Sequence, residues 1–518
     1  MRKALIVSTC AAFLLTATTA VSAQGGPSGH RPRTEEDVLK RYVERVMKGQ
    51  REDGHWDHSY KLGMTALAAL ALKHSNDPRA ASSVAKAAAY LAQAKTEYKT
   101  YSAGMIISAL YQIDPRAHRR TISKYASLLC KSQMRDDVRG MFCYNLVGIR
   151  TRAGTWTTRA DNSNTQFAVL GLLFAERSGF QVPKSTWEDL KHHYTKTQNT
   201  DGGWGYRIGD GSYHNMTLAG AVSLYIAEEQ LALGGSSRCV MNPPSRATEA
   251  AMKWVGKHFT TELNSYGLYA LERLGILTGR SEFGGHYWYR EAADRIVNHG
   301  VDEGKWGQAG AAFVVLFLSR GKEPIIINKL KYYGDWDCAH YDVKHMTDYI
   351  SDRMQSPMQW RVVTLESKLE DLLKVPILHY HGIKGPAFTD DEKIKIRNYV
   401  LKGGVLMVQA CKCWKAAKEF DEAFRTLMEE CFPEGELEEL PKSHRMFQTP
   451  RKLSRPPKVE VMKFGERIGV IYLPKELAID WHRGGGSAKP AFDAGVDIIF
   501  YVLKQAGRLG AGAKPIRD

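Results

Sequence analysis

The stretch Gln198–Trp204, QNTDGGW, has the form Gln-x3-Gly-x-Trp and separates a segment of mixed polarity from an apolar one. Its two glycines supply the positive-φ and close-approach positions that a tight turn between helices needs. Trp204 offers a flat apolar plug for the gap, and the Gln198 amide is expected to bond free N–H groups of the incoming helix. The same spacing recurs at Gln50, Gly54 and Trp56 in QREDGHW. Relaxed copies follow over Gln133–Phe142 (QMRDDVRGMF) and at Gly300, Gly304 and Trp306 (GVDEGKW). Such recurrence within one half of a chain is the mark of a repeat.

Around these turns, segments of mixed polarity alternate with segments rich in Ala, Gly and Leu. The mixed ones lie near 35–50, 79–93, 117–132, 185–198, 246–259 and 287–299; the apolar ones lie near 61–74, 102–113, 165–177, 216–233, 265–277 and 308–319. GMTALAALAL and AAFVVLFLS are apolar nearly all round, which predicts burial on every side. Ala66, Gly104, Gly171, Gly220, Gly267 and Gly310 would let those helices approach closely. Six inner and six outer helices make a closed (α/α)6 toroid. An open solenoid would need polar caps at both ends, and the last inner helix is too apolar for that.

The turns and hairpins resemble the squalene-cyclase and protein-prenyltransferase toroid superfamily over roughly residues 35–320. The family's chemistry transfers poorly. Cyclases use an Asp-x-Asp-Asp motif, and the nearest match, Asp136-Asp137, lacks the preceding Asp. Prenyltransferases hold zinc through Asp-x-Cys plus a distant His. SYHNMTLAG puts His214 in that His position, but DNSNTQF stands where Asp-x-Cys would be. The Cys-Gly-Glu-Gln thioester of complement-type toroids is absent. No metal and no cofactor is therefore expected, and binding is favoured over catalysis.

What remains is a set of polar residues where the inner helices begin: Asp57, His58 and Tyr60; Tyr98 and Tyr101; Asp161, Asn162 and Asn164; His214 and Asn215; Asn264 and Tyr266; Gln308. In a toroid these starts gather at one mouth, where converging helix N-termini suit a polar or anionic ligand. Asp57, His58, Tyr60, Tyr101, Asp161, His214, Asn215 and Tyr266 are the candidate ligand-binding set. The Asp and Asn residues also serve a plain purpose as N-caps, which His and Tyr do poorly.

The texture changes at Gly321-Lys322-Glu323-Pro324. IIINKLKYY, RVVTL, PILHYHG, VLMVQA and RIGVIYL read as strands, and VKHMTDYISDRM, DDEKIKIRNYVLK, KEFDEAFRTLMEECF and FDAGVDIIFYVLKQAG as helices. Thr389 and Glu392 form a capping box, and Lys402-Gly403-Gly404 a helix end. This alternation predicts a parallel, flavodoxin-like sheet with helices on both faces. From about Asn328 to Leu509 the chain resembles an uncharacterised bacterial domain family with a class I glutamine-amidotransferase-like fold. The resemblance rests on Tyr333-Gly334-Asp335-Trp336, TDDEKIKIRNYVLKGGVLMV, LPKSHRMF, and RIGVIYLPKEL with Asp480-Trp481. Members place acidic residues after the strand that ends here at Gln409, where this chain has Ala410, Cys411, Lys412 and Cys413. Amidotransferases carry a nucleophilic Cys at such a strand-to-helix elbow, so Cys411 with His444 as base are the catalytic candidates. The elbow glycines are missing from QACKCW and no His-x-Glu pair occurs, so a structural or disulfide-forming cysteine is the plainer reading. Cys411-x-Cys413 alone is a poor metal site, and His379-x-His381 at a strand end reads as structural.

At the start of the chain, Arg2 and Lys3 precede the apolar run ALIVSTCAAFLL, and Val21-Ser22-Ala23 forms a small-residue cleavage site. Residues 1–23 thus read as a secretory signal peptide whose core is too short for a membrane span. Residues 24–34 read as a flexible N-terminus, 35–322 as the toroid, 323–509 as the α/β domain and 510–518 as a flexible tail. Export to the periplasm or the cell exterior is expected, without a transmembrane segment. The formal charge of +16 fits either an anionic partner or a solvated basic surface, and export argues against nucleic acid. Of eight cysteines, Cys10 leaves with the leader, and the odd, sparse remainder is no disulfide framework. The expected function is non-catalytic binding of a small molecule, lipid, glycan or exported protein, through the toroid mouth and the α/β domain. An enzyme acting on an isoprenoid or glycan in the cavity, and a cysteine amidase in the second half, are the alternatives.

Overall fold

The computed structural model describes residues 34–135, 137–146, 160–234, 244–301, 307–354, 356–411 and 416–509. The leader, Asp136, Gly304, Trp306, Lys412, Cys413 and the tail lie outside the described residues. The first half is helical. Amphipathic helices α1 (Glu35–Lys48), α3 (Ala81–Gln93), α5 (Arg119–Ser132), α7 (Lys184–Thr197), α9 (Arg246–Lys257) and α11 (Trp288–His299) alternate with helices buried almost all round. The buried set is α2 (Lys61–His74), α4 (Thr100–Ile113), α6 (Asn162–Arg177), α8 (His214–Ala232), α10 (Ser265–Thr278) and α12 (Gln308–Arg320). Sequence patterning decides which is which. In α1 only Val38, Tyr42, Val43 and Val46 are buried, one stripe at helical spacing, whereas α2 is buried from Leu62 to Leu72. Thr34 caps α1 by a reciprocal pair of hydrogen bonds with Asp37. The buried helices pack in sequence, α2 on α4, α4 on α6, α6 on α8, α8 on α10 and α10 on α12, and α12 returns to α2. A short antiparallel pair, β1 (Phe142–Cys143) and β2 (Ala160–Asp161), precedes α6.

The repeated turn has one geometry in its three described copies. Gln50 Nε2 donates to the carbonyls of Gly54 (3.0 Å) and Ser83 (2.8 Å), and Gln198 Nε2 to those of Gly202 (2.8 Å) and Ala247 (2.8 Å). Gln133 Nε2 likewise reaches Thr186 O at 3.0 Å. The glutamine amide thus bonds carbonyls, not the N–H groups expected from sequence. The incoming backbone N–H is met by a threonine instead: Trp56 N donates to Thr65 Oγ1, Phe142 N to Thr165 Oγ1 and Trp204 N to Thr217 Oγ1, each at 3.1 Å. The indoles of Trp56 and Trp204 donate back to Val46 O (2.7 Å) and Tyr194 O (3.0 Å) of the preceding outer helix. At Gly202 (φ +93°) a Cβ would lie 2.9 Å from Ala250 O, and at Gly54 (φ +101°) 2.5 Å from Lys86 O. Each turn therefore fastens one hairpin to the outer helix of the next.

The second half is a sheet of β3 (Ile325–Leu330), β4 (Gln359–Val363), β5 (Ile377–Gly382), β6 (Val405–Ala410), β7 (Glu438–Glu439), β8 (Glu460–Phe464) and β9 (Arg467–Leu473), in the order β4-β3-β5-β6-β9-β8-β7. The first five are parallel; β8 and β7 are antiparallel. The sheet is thus mixed rather than wholly parallel. Gly465 (φ +62°) and Glu466 link β8 to β9 as a two-residue hairpin, a connection only antiparallel strands accept. One face is covered by α13 (Asp342–Met354), α17 (Ala478–Arg483) and α18 (Lys489–Gln505), the other by α14 (Leu369–Leu372), α15 (Asp390–Leu401) and α16 (Ala416–Cys431).

The carboxyl ends of the buried helices meet α13 and β4. At the end of α8, Glu229 takes Lys344 Nζ at 2.5 Å and His345 Nε2 at 3.0 Å, with Glu229 and Lys344 both buried. Arg177 at the end of α6 pairs with Asp348 at 2.5 Å, and Tyr111 on α4 donates to Asp352 at 2.7 Å. His74 at the end of α2 meets Glu323 at 3.1 Å. Among the described residues no helix is long and apolar enough to cross a membrane.

Lys344→Ala, which leaves the buried Glu229 carboxylate with His345 alone, should cost up to about 3–5 kcal/mol in urea denaturation. Burial pushes the Glu229 carboxyl up, but Lys344 and His345 outweigh it and hold it well below the usual range. A lowered folded value means stability fully present above the unfolded carboxylate value, about pH 4.3, and lost as pH falls from there through the lower folded value. Glu229→Gln should flatten the acid limb of the stability profile, whatever it costs at neutral pH.

Candidate functional site

The starts of the buried helices form a rim of tyrosines. Tyr101 OH donates to Ser163 Oγ (2.7 Å), which donates to Tyr266 OH (3.2 Å), which donates to Gln166 Oε1 (2.6 Å). Beside this line, the hydroxyls of Tyr144 and Tyr206 meet at 2.6 Å. Rings continue outward, with Tyr101 5.8 Å from Tyr144 and 6.4 Å from Tyr60. Tyr60, Tyr101, Tyr144 and Tyr206 are half-buried, while Tyr266 is buried. Lys99 Nζ stands 5.7 Å from the Tyr60 ring. Below the rim, Phe167 of α6 touches Tyr101 (4.8 Å), Tyr266 (5.9 Å), Tyr269 (6.2 Å) and Phe313 (6.4 Å). Tyr266, Tyr269 and Phe313 belong to α10 and α12, neither adjacent to α6 in the packing sequence, so Phe167 fills the axis.

Asp161 is buried beneath this rim. It caps α6 by accepting from Asn164 N at 2.7 Å, and burial raises its carboxyl above the usual range. His58 is exposed and accepts from Tyr60 N through Nδ1 at 3.0 Å. Three predicted residues point elsewhere. Asp57 pairs with His55 (2.9 Å) and Arg51 (2.5 Å) within the first turn. His214 bonds the His258 carbonyl at 2.6 Å and packs on Trp254, so it serves the contact with α9. Asn215 donates to Asn264, the N-cap of α10, at 3.2 Å.

A second constellation lies at the carboxyl ends of the parallel strands. Cys338 follows β3, His381 is near the end of β5, Cys411 follows β6 and Glu476 follows β9; all four are buried. The ligand atoms of Cys338, His381 and Cys411 lie within 4.8 Å of one another, with Cys338 Sγ 3.3 Å from His381 Nδ1. The other ring nitrogen, His381 Nε2, meets Glu476 Oε2 at 2.5 Å. The supporting contacts are dense. Buried Lys329 on β3 reaches Asp337 (2.9 Å), Asp342 (2.8 Å) and the carbonyls of Ala339 and His340, bracing the loop that carries Cys338. Asp335 accepts from Ile383 N at 2.8 Å, tying that loop to β5. Gln409 Oε1 accepts from Leu477 N (2.8 Å) and Ala478 N (3.0 Å), fixing the segment that bears Glu476. A hydrogen bond from Cys338, reinforced by His381, pulls the Cys411 thiol down despite its burial. Burial alone would lower His381, but its bonds to Cys411 and Glu476 outweigh that and raise it.

His444 is not the partner of Cys411. It caps the 3-10 turn at 445–447 and packs its ring 5.5 Å from Tyr501, near the β7 edge of the sheet. The groups that sequence reasoning missed are Cys338, His381 in this role, and Glu476. Their shared signal is position just at or beyond the carboxyl end of a parallel strand, where open α/β sheets gather functional groups.

A cavity of about 630 Å³ lies among the contacts between the two halves, lined by the helix ends, α13 and β4. Of its charged lining, Arg177 and Lys344 pair with Asp348 and Arg320 with Glu323, and Lys73, Arg119 and Arg273 line it as well.

Residues 326–503 match the family described as Domain of unknown function (DUF4159). The chain matches no curated protein.

The two rim hydroxyls should differ in worth. Tyr266→Phe removes the partner of buried Gln166 and should cost about 1–3 kcal/mol, the penalty of an unsatisfied buried group. Tyr101→Phe, closer to solvent, should cost about 0.5–1.5 kcal/mol. Paired chemical denaturation of the two variants checks the order.

Proposed function

We propose that the chain is an exported, non-catalytic binding protein, an (α/α)6 toroid of the squalene-cyclase and protein-prenyltransferase kind followed by an amidotransferase-like α/β domain. Supporting the toroid is the return of α12 to α2. Supporting the flavodoxin-like reading is the strand order: numbered along the chain, the parallel set runs 2-1-3-4-5. The ligand is of the glycan class, bound at the tyrosine rim. The observation that carries this choice is Phe167 filling the axis beneath half-buried tyrosines. A long isoprenoid chain needs a deep apolar channel there. A sugar needs only flat rings to stack on its apolar face and hydroxyls at the ring edges, and tyrosine supplies both. The amidase reading draws on Cys411, His381 and Glu476, but an acyl substrate would have to reach groups that are all buried.

The experiment is an oligosaccharide microarray probed with mature protein, followed by calorimetry on the best hit. Tyr60→Ala combined with Tyr101→Ala should weaken that hit about tenfold or more, the sum of roughly 1.4 kcal/mol of lost contacts. The thermal midpoint should fall as well, because Tyr101 also bonds Ser163 and packs on Phe167, so binding is measured well below the midpoint of the double variant. Retention of sugar binding by the double variant, or selective binding of isoprenoid diphosphates instead, would contradict the proposal.

A further inference from the structure

The cluster at the carboxyl edge of the sheet has one more component than a nucleophile and base require. A cysteine catalyst uses one thiol, one imidazole and an orienting acid. Here a second thiol, Cys338, converges on the same point as Cys411 and His381 Nδ1, all within 4.8 Å. We propose that Cys338, Cys411 and His381 bind one zinc ion, with Glu476 as the carboxylate that orients the imidazole. This replaces the expectation of a metal-free chain.

Four observations support it. The donor set, two thiolates and one imidazole, is the one borderline-soft Zn²⁺ selects. The distances suit a tetrahedral ion: Zn–S near 2.3 Å and Zn–N near 2.0 Å require about 3.5 Å between S and N. The Cys338 Sγ to His381 Nδ1 separation of 3.3 Å needs only a small outward shift. Ligand His residues hand their other ring N–H to a carboxylate, and Glu476 at 2.5 Å from Nε2 occupies that place. Lastly, two thiolates balance the ion's double charge, which makes complete burial of all three ligands affordable in solvation terms. On binding, the two protons shared among the thiols and the imidazole leave to solvent, so that both sulfurs bind as thiolates and Nδ1 through its lone pair, and no redox change occurs. The ligands come from three separate strand ends, and Lys329, Asp335 and Gln409 hold those ends in place before any ion arrives.

The test uses full-length mature protein purified without chelators or a histidine tag, with elemental analysis for zinc. About one zinc per chain is expected, falling below about a tenth in Cys338→Ser and in Cys411→Ser. Should those variants fold poorly, the native chain answers independently. Replacement of zinc by Co²⁺ should give a thiolate-to-cobalt charge-transfer band and the intense visible bands of tetrahedral cobalt. Glu476→Gln keeps all three ligands and should weaken metal affinity about 10- to 100-fold, read by competition with a zinc indicator. Three results would overturn the proposal. These are native protein that neither carries zinc nor takes up cobalt, a Cys338–Cys411 disulfide in protein trapped with alkylating agent during lysis, or fast single-site labelling of Cys411 in protein saturated with zinc.

Discussion

Everything in the helical half depends on a glutamine whose amide donates two hydrogen bonds at once, one within its own turn and one to the next outer helix. Gln198 holds Gly202 O and Ala247 O, and Gln50 holds Gly54 O and Ser83 O, all near 2.8–3.0 Å. The glycine of the same turn abuts the next outer helix three residues further on, at Ala250 and Lys86. A side chain of any size there would push the two hairpins apart. Repetition of this contact sets a fixed offset between successive hairpins, and a fixed offset repeated around the chain is what brings α12 back to α2.

The consequence at the far end is electrostatic. The buried helices point their carboxyl ends, the negative ends of their dipoles, toward one surface. The α/β half meets that surface with Lys344, which lies against Glu229, and with Asp348 held by Arg177. Glu229 and Lys344 are buried and Arg177 and Asp348 half-buried, so removal of a partner from the first pair costs the desolvation of the charge left behind, and the two halves are coupled by that penalty. The opposite end keeps Tyr60, Tyr101, Tyr144 and Tyr206 partly exposed.

Much of this was legible in the sequence. Alternation of one-stripe and all-round apolar segments located the twelve described helices of this half, because an outer helix shows a single buried stripe at helical spacing and an inner one is a long apolar run. The five parallel strands stood out as apolar runs for the same reason. The β8–β9 hairpin did not: the run around Glu460 is short and charged at its start, and only Gly465 betrayed the turn. The rim was half visible. Tyr60, Tyr101 and His214 stood out as poor helix caps and Tyr266 and Asp57 as polar residues at helix starts, yet His214 and Asp57 turn to the His258 carbonyl and to His55 and Arg51. Position along a helix predicts depth, not the direction of a side chain. The thiol cluster was least legible, since Cys338, His381, Cys411 and Glu476 are brought together only by strand order. His444 follows Cys411 in the chain but belongs to the antiparallel edge.

The account rests on the glutamine turn fastening each hairpin to the next, and native-state hydrogen exchange on Gln198→Ala tests this most directly. The loss of protection should appear in α9, around Ala247 and Ala250, at least as strongly as in the turn 198–204 itself. Protection in α7 should fall less. If exchange rises only within the turn and α9 remains as protected as in the unmodified chain, the turn closes its own hairpin and nothing more, and the closure of the ring must have another cause.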